Sequence, residues 1–174
     1  MDISGFLANA NWGLLLLGYP VLLLALTVHE CAHAWTADRM GDSTARLLGR
    51  VTLNPIAHMD LFGTVLFPVM AFLYQIPLIG WAKPVPVNPY VLRRRSPAAL
   101  MWVALAGPAS NFLMAVVAAI PFRLGLVSTA AVSGTALFSL PVFLDQFIII
   151  NLSLMLFNLI PLAPLDGEKV LEYF

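Results

Sequence analysis

The chain has 174 residues, 60% of them hydrophobic and only 10% charged, with a mean hydropathy of +0.89. That is more apolar surface than a soluble domain of this size needs, so the composition is that of a membrane protein. Formal net charge is zero and no basic tract suits a nucleic-acid backbone, so nucleic-acid partners are not suggested; the single cysteine, Cys31, rules out an intrachain disulfide. Asp2 and the lack of a basic leader argue against a cleaved signal peptide. No repeat or low-complexity linker divides the sequence, and one membrane domain over 1–174 is expected.

The first apolar segment runs from about Trp12 to Ala37, long enough to cross a bilayer. No charge interrupts Gly13 to Val28, and then comes His29-Glu30-Cys31-Ala32-His33. On a helix, His29 and His33 stand one turn apart on one face, a spacing at which two imidazoles can grip one metal ion. Glu30 stands beside them, placed to handle a proton. Ionisable groups in apolar surroundings are costly and mark a functional site. With Arg39 as the interface anchor, His29 lies about 15 Å deeper along the helix axis. Cys31 reads as a small packing residue.

A polar connection follows from Asp38 to Asp60, in which Leu47 to Leu53 reads as a short strand. It contains the third histidine, His58, within Asn54-Pro55-Ile56-Ala57-His58-Met59-Asp60. His58 and Asp60 could serve the metal as outer groups, but a turn and a helix cap before Leu61 is the favoured reading. The second apolar segment, about Phe62 to Ile79, is short and holds Pro68 and Pro77. Trp81 to Val91 is rich in Pro and Val and reads as extended backbone. Arg93-Arg94-Arg95 reads as a cytoplasmic anchor. The third segment spans about Ala98 to Phe122. In it, Gly107-Pro108 permits close helix approach, and Asn111 reads as pinning helices together. The fourth spans about Gly134 to Ile160 and leads into Pro161, Pro164, Asp166 and Gly167, an irregular backbone that is tolerated at membrane depth where it lines a cavity.

Two histidines leave a catalytic zinc one protein ligand short, and Asp166 is the strong candidate for the third. To bring Asp166 to the depth of the histidines, the first and fourth segments must run in the same direction. That requires the second segment to dip in and return without crossing. Charge agrees: Arg39, Arg46, Arg50, Lys83, Arg93, Arg94, Arg95 and Lys169 then share one side and only Arg123 lies on the other. The expected fold is therefore an all-α membrane protein of three spanning helices, a re-entrant or non-spanning apolar segment and a short β-strand or hairpin element. The site opens toward the cytoplasm.

His29 to His33, Leu105-Ala-Gly-Pro-Ala-Ser-Asn111 and Asn158-Leu-Ile-Pro-Leu-Ala-Pro-Leu-Asp-Gly167 together resemble the site-2 protease family of intramembrane zinc metalloproteases. Gly80-Trp-Ala-Lys-Pro-Val-Pro-Val-Asn88 and Asn54-Pro-Ile-Ala-His58 are similar to its compact prokaryotic branch without a PDZ domain. The resemblance implies one Zn2+ held by His29, His33 and Asp166, with Glu30 as the catalytic residue. It also implies that Asn158 contacts the substrate or the developing oxyanion. Relatives commonly continue past the Asp-Gly motif, which leaves truncation at Phe174 open.

The implied reaction is hydrolysis of peptide bonds in or near transmembrane segments of membrane-anchored proteins. Such a substrate must be unwound, and residues 82–88 could hold it. Pro84 and Pro86 remove donors from one edge of an extended strand, while Lys83, Val85 and Val87 keep theirs on the other, which suits β-addition. A membrane metal transporter or sensor, with ligands spread along a pathway, and an inactive scaffold relative are the alternatives.

Overall fold

A computed structural model describes residues 12–78, 80–128 and 139–174. A π-helical turn, Leu14–Gly18, leads into α1 (Tyr19–Arg39), with Pro20 in the first turn, where its missing N–H costs nothing. A short α2 (Thr44–Leu47) and a 3-10 turn (Pro55–His58) follow. A second π-helical turn, Leu61–Leu66, continues into α3 (Phe67–Tyr74), which ends at Gln75 in the left-handed region. Then come α4 (Pro89–Arg95), α5 (Ala99–Arg123), α6 (Leu140–Asn158) and α7 (Asp166–Leu171).

Three of these are long and apolar enough to cross a membrane: Leu15–Arg39, Ala99–Arg123 and Leu140–Asn158. The apolar helix Leu61–Tyr74 is shorter; at helical rise it covers about 21 Å, less than the ~30 Å of a hydrocarbon core. The fold is that of a multi-pass membrane protein in which the second apolar segment is the short one. Its final residue, Ile79, and the opening of the fourth segment, 134–138, lie outside the described residues.

Helix α5 is the centre of the bundle and packs on α1, α6 and α7. Small residues allow the approach: Ala25, Ala34 and Ala37 of α1 and Ala99, Gly107 and Ala115 of α5 are buried. Around Ala37, Leu92, Ala99, Leu100 and Val103 form one apolar cluster; Leu22, Leu26 and Ala82 form another, against which Ile150 and Leu154 pack. Trp35, Trp102, Phe112, Leu113 and Val117 point outward and are exposed, as a lipid-facing surface requires.

The expected strand is absent: there is no strand among the described residues. Leu47 closes α2, and Gly49, at φ 69°, turns the chain back, with Gly49 N donating to Arg46 O and Arg50 N to Ala45 O. This is a helix C-terminus built on a left-handed glycine. Leu47, Leu48 and Leu53 are exposed and have no neighbouring strand to join. The extended reading of Trp81 to Val91 also needs shortening. Helix α4 starts at Pro89, where the Asn88 side chain accepts hydrogen bonds from Tyr90 N at 3.1 Å and Val91 N at 3.4 Å.

If the Leu61–Tyr74 helix does not cross, Arg46→Cys and Arg94→Cys, each in a Cys31→Ala background, should be labelled by an impermeant thiol reagent from the same face of sealed membranes. Labelling from opposite faces would mean that this segment spans.

Candidate metal centre

The histidines lie where α1 meets α5, both buried, with ring centroids 4.6 Å apart. Asp166 reaches them from the first residue of α7. Its placement depends on Gly167, where a Cβ would lie 2.4 Å from Leu159 O and 2.5 Å from Ile160 O. Only a glycine lets α7 tuck against the end of α6 and turn the carboxylate inward.

The Nε2 atoms of His29 and His33 are 3.0 Å apart, and Asp166 Oδ2 lies 3.2 Å from the first and 3.3 Å from the second. Two bonds of about 2 Å at a tetrahedral angle put their ends roughly 3.3 Å apart, so the three atoms already sit close to one face of a zinc tetrahedron. Asp166 Oδ2 is buried and hydrogen-bonded to neither imidazole, a vacancy in its bonding that a cation satisfies. A carboxylate has no proton to lose at neutral pH to become a ligand. Two imidazole nitrogens and a carboxylate fit zinc by donor type and by spacing.

The far nitrogens are engaged as well. His33 Nδ1 donates to Val103 O at 2.7 Å; a carbonyl only accepts, so the proton is on Nδ1 and the Nε2 lone pair is left for a metal. His29 Nδ1 pairs with Asn111 Oδ1. Where α5 passes the two Nε2 atoms it presents Gly107. At Gly107 a Cβ would stand 2.3 Å from His33 Nε2 and 2.6 Å from His29 Nε2, so any side chain there would press on both rings at their metal-facing atoms.

Glu30 is buried beside the histidines, and its Oε2 accepts a hydrogen bond from Val85 N at 3.1 Å. Glu30, Val85, Val87, Asn158 and Asp166 line one cavity of about 540 Å³ together with the histidines. Asn158 Nδ2 donates to Leu154 O at 2.9 Å. Lys83 is drawn into the chain instead: its N–H donates to His58 O at 2.8 Å and its carbonyl accepts from Arg50 Nη2. His58 is buried with Nε2 against Thr52 O and stands outside the His–His–Asp group, while Asp60 accepts from Phe62 N and Gly63 N as a helix cap.

Gly107, the Asn111 contact to His29 and the Val85 amide on Glu30 were not assigned to the site from sequence. For the first two a signal existed in Gly107-Pro-Ala-Ser-Asn111, whose small residues mark close approach without saying to what. The third is a backbone contact and leaves no side-chain signature.

A family model for peptidase family M50 matches residues 18–139. The chain belongs to that family. It is 43% identical over 155 residues to a Bacillus subtilis protein named "Putative zinc metalloprotease YwhC", covering 87% of this chain and 65% of that protein. It is 31% identical over 151 residues to "Putative zinc metalloprotease Rip2" of Mycolicibacterium smegmatis, covering 86% and 54%. Against "Putative zinc metalloprotease Rip3" of Mycobacterium tuberculosis it is 30% identical over 203 residues, covering 99% and 42%. The chain therefore spans less than two thirds of the length of these relatives. No solved structure matches it. The family and the relatives' names imply zinc and bear out the resemblance to site-2 proteases. The family match stops short of Asp166, whose place beside the histidines is a matter of geometry.

Replacing Gly107 by alanine should weaken zinc binding at least tenfold while the helical content by circular dichroism is kept, because the new methyl presses on both imidazoles at Nε2. Unchanged zinc affinity in Gly107→Ala would place the ion elsewhere.

Proposed function

We propose that this chain is an intramembrane zinc metalloendopeptidase, cutting membrane-anchored proteins within or beside their transmembrane segments, with its site open to the cytoplasmic side. The observation that carries the reading is the meeting of His29, His33 and Asp166 at one point, with Glu30 beside them, in a cavity between apolar helices. A transporter would distribute its ligands along a path. Among the described residues, the His, Cys, Asp and Glu groups able to share an ion converge once.

Zinc held by these three side chains supplies Lewis acidity for the scissile carbonyl and lowers the pKa of a water to about 7. The chain's own residues do the rest. Glu30 takes the proton from the attacking water and passes it to the leaving amine. Asn158 has a second amide N–H besides the one on Leu154 O, and this can donate to the carbonyl oxygen as charge develops. The enclosing apolar helices keep competing water low, which strengthens both interactions.

The extended 82–88 segment forms the wall against which the unwound substrate is held. Of the three residues proposed for pairing, Lys83 is committed to His58 and Arg50, while Val85 and Val87 line the cavity. Val85 is where two roles meet. A substrate carbonyl that accepts its N–H releases Glu30 toward the attacking water, so substrate arrival and base availability are coupled.

Glu30→Gln should retain about one zinc per chain and an unchanged unfolding profile, yet cleave a reconstituted membrane-anchored substrate at least ~100-fold more slowly. Cleavage at the parent rate would move the base to another residue. Cleavage by neither the variant nor the parent would favour an inactive scaffold.

A further inference from the structure

Helix α6 is mostly apolar, with Asp145, Gln146, Asn151, Ser153 and Asn158 the exceptions, and the one residue it buries completely is Asn151. A buried amide in an apolar helix is expensive unless every polar atom is used. Here it is used in sequence. Asn151 Nδ2 donates to Phe147 O at 2.8 Å on its own helix. A backbone carbonyl can only accept, so this bond fixes which end of the Asn151 amide faces which way. Its Oδ1 therefore points to α5, where it accepts from Asn111 Nδ2 at 2.8 Å. Asn111 is fully buried too, and its Nδ2 also reaches Ala25 O of α1 at 3.4 Å. With its NH2 committed on that side, Asn111 can present only Oδ1 to His29, and an amide oxygen can only accept. His29 Nδ1 must then carry the proton, and the lone pair of His29 lies on Nε2, facing His33 and Asp166.

We propose that Asn151 and Asn111 form a directional hydrogen-bond chain from α6 through α5 to α1, which fixes the tautomer and ring orientation of His29 for metal binding. Both are positioning residues, and neither touches substrate. The inference rests on the metalloprotease reading. It gives α6 a second task beside leading the chain to Asp166: the helix that delivers one ligand also orients another. Asn111 thus does more than pin helices.

The test compares replacements of nearly equal size. Asn111→Leu removes the acceptor from His29, whereas Asn111→Asp keeps an acceptor and loses the donations to Asn151 Oδ1 and Ala25 O. Zinc affinity, measured by competition with a chelator on detergent-solubilised chain, should fall about 10–100-fold in Asn111→Leu and stay close to the parent in Asn111→Asp. Asn151→Leu, which leaves the Asn111 amide free to turn, should fall between them. A role in helix packing alone predicts equal behaviour of the Leu and Asp variants, and that result would overturn the chain. One measurement needs no variant. The cobalt-substituted parent should show two solvent-exchangeable, shifted imidazole N–H resonances, one for His29 and one for His33. A single one overturns the proposal even if the variants fail to fold. A parent that binds neither zinc nor cobalt overturns the metalloprotease reading itself, whereas a parent that binds zinc with all three variants within twofold of it overturns this inference alone.

Discussion

The closeness of α5 to the histidine face of α1 at Gly107 is the constraint on which the other features of the site depend. Two imidazoles one turn apart can share an ion only if the space in front of them is neither filled by the neighbouring helix nor left to lipid. A glycine backbone meets both demands, because it walls the site without entering it. The same approach brings the Val103 carbonyl to one ring and the Asn111 amide to the other, so a single helix contact clears the space for the ion and fixes both rings. A shift of α5 would disturb all three at once.

The second theme is the sparing use of polar groups. Membrane depth penalises every polar atom without a partner, and the bundle uses few of them. Those present are linked: Glu30 to the Val85 amide, His33 to Val103, His29 to Asn111, and Asn111 to Asn151. Among the described residues three buried side-chain atoms lack a hydrogen bond, Arg50 Nε, His58 Nδ1 and Asp166 Oδ2, and of these only Asp166 Oδ2 belongs to the His–His–Asp group, where it faces the two Nε2 atoms.

Much of this was legible in the residues because helical spacing is a strong local rule. The i, i+4 histidines needed nothing beyond it. Asp166 stood out as a carboxylate in a segment broken by Pro161, Pro164 and Gly167, and the helix directions were argued from it. The strand over Leu47 to Leu53 was misread because a run of leucines around a glycine carries no period. The left-handed turn at Gly49 and the absence of any partner strand decided it as a helix end. Gly107 and Asn151 escaped assignment for a different reason. Which side of α5 meets α1, and which side of α6 meets α5, depends on how the helices are rotated about their axes. Apolar residues on all sides of a membrane helix hide that rotation from the sequence. Asn151 sits in an apolar run that gives no hint of what it meets.

The segment that carries Val85 is fastened at both ends to the connection that follows α1. Lys83 is held by Arg50 and His58, and the Asn88 N–H donates to the buried carboxylate of Asp42. By length and polarity, that connection looks like the kind of surface loop where added residues are harmless. Its contacts make it a mould instead. Lengthening it by even one or two residues between Gly49 and Asn54 would shift the wall beside the base while leaving the packing of α1, α5 and α6 on one another in place. The molecule would then remain folded in its membrane and yet hold its proton acceptor in the wrong place.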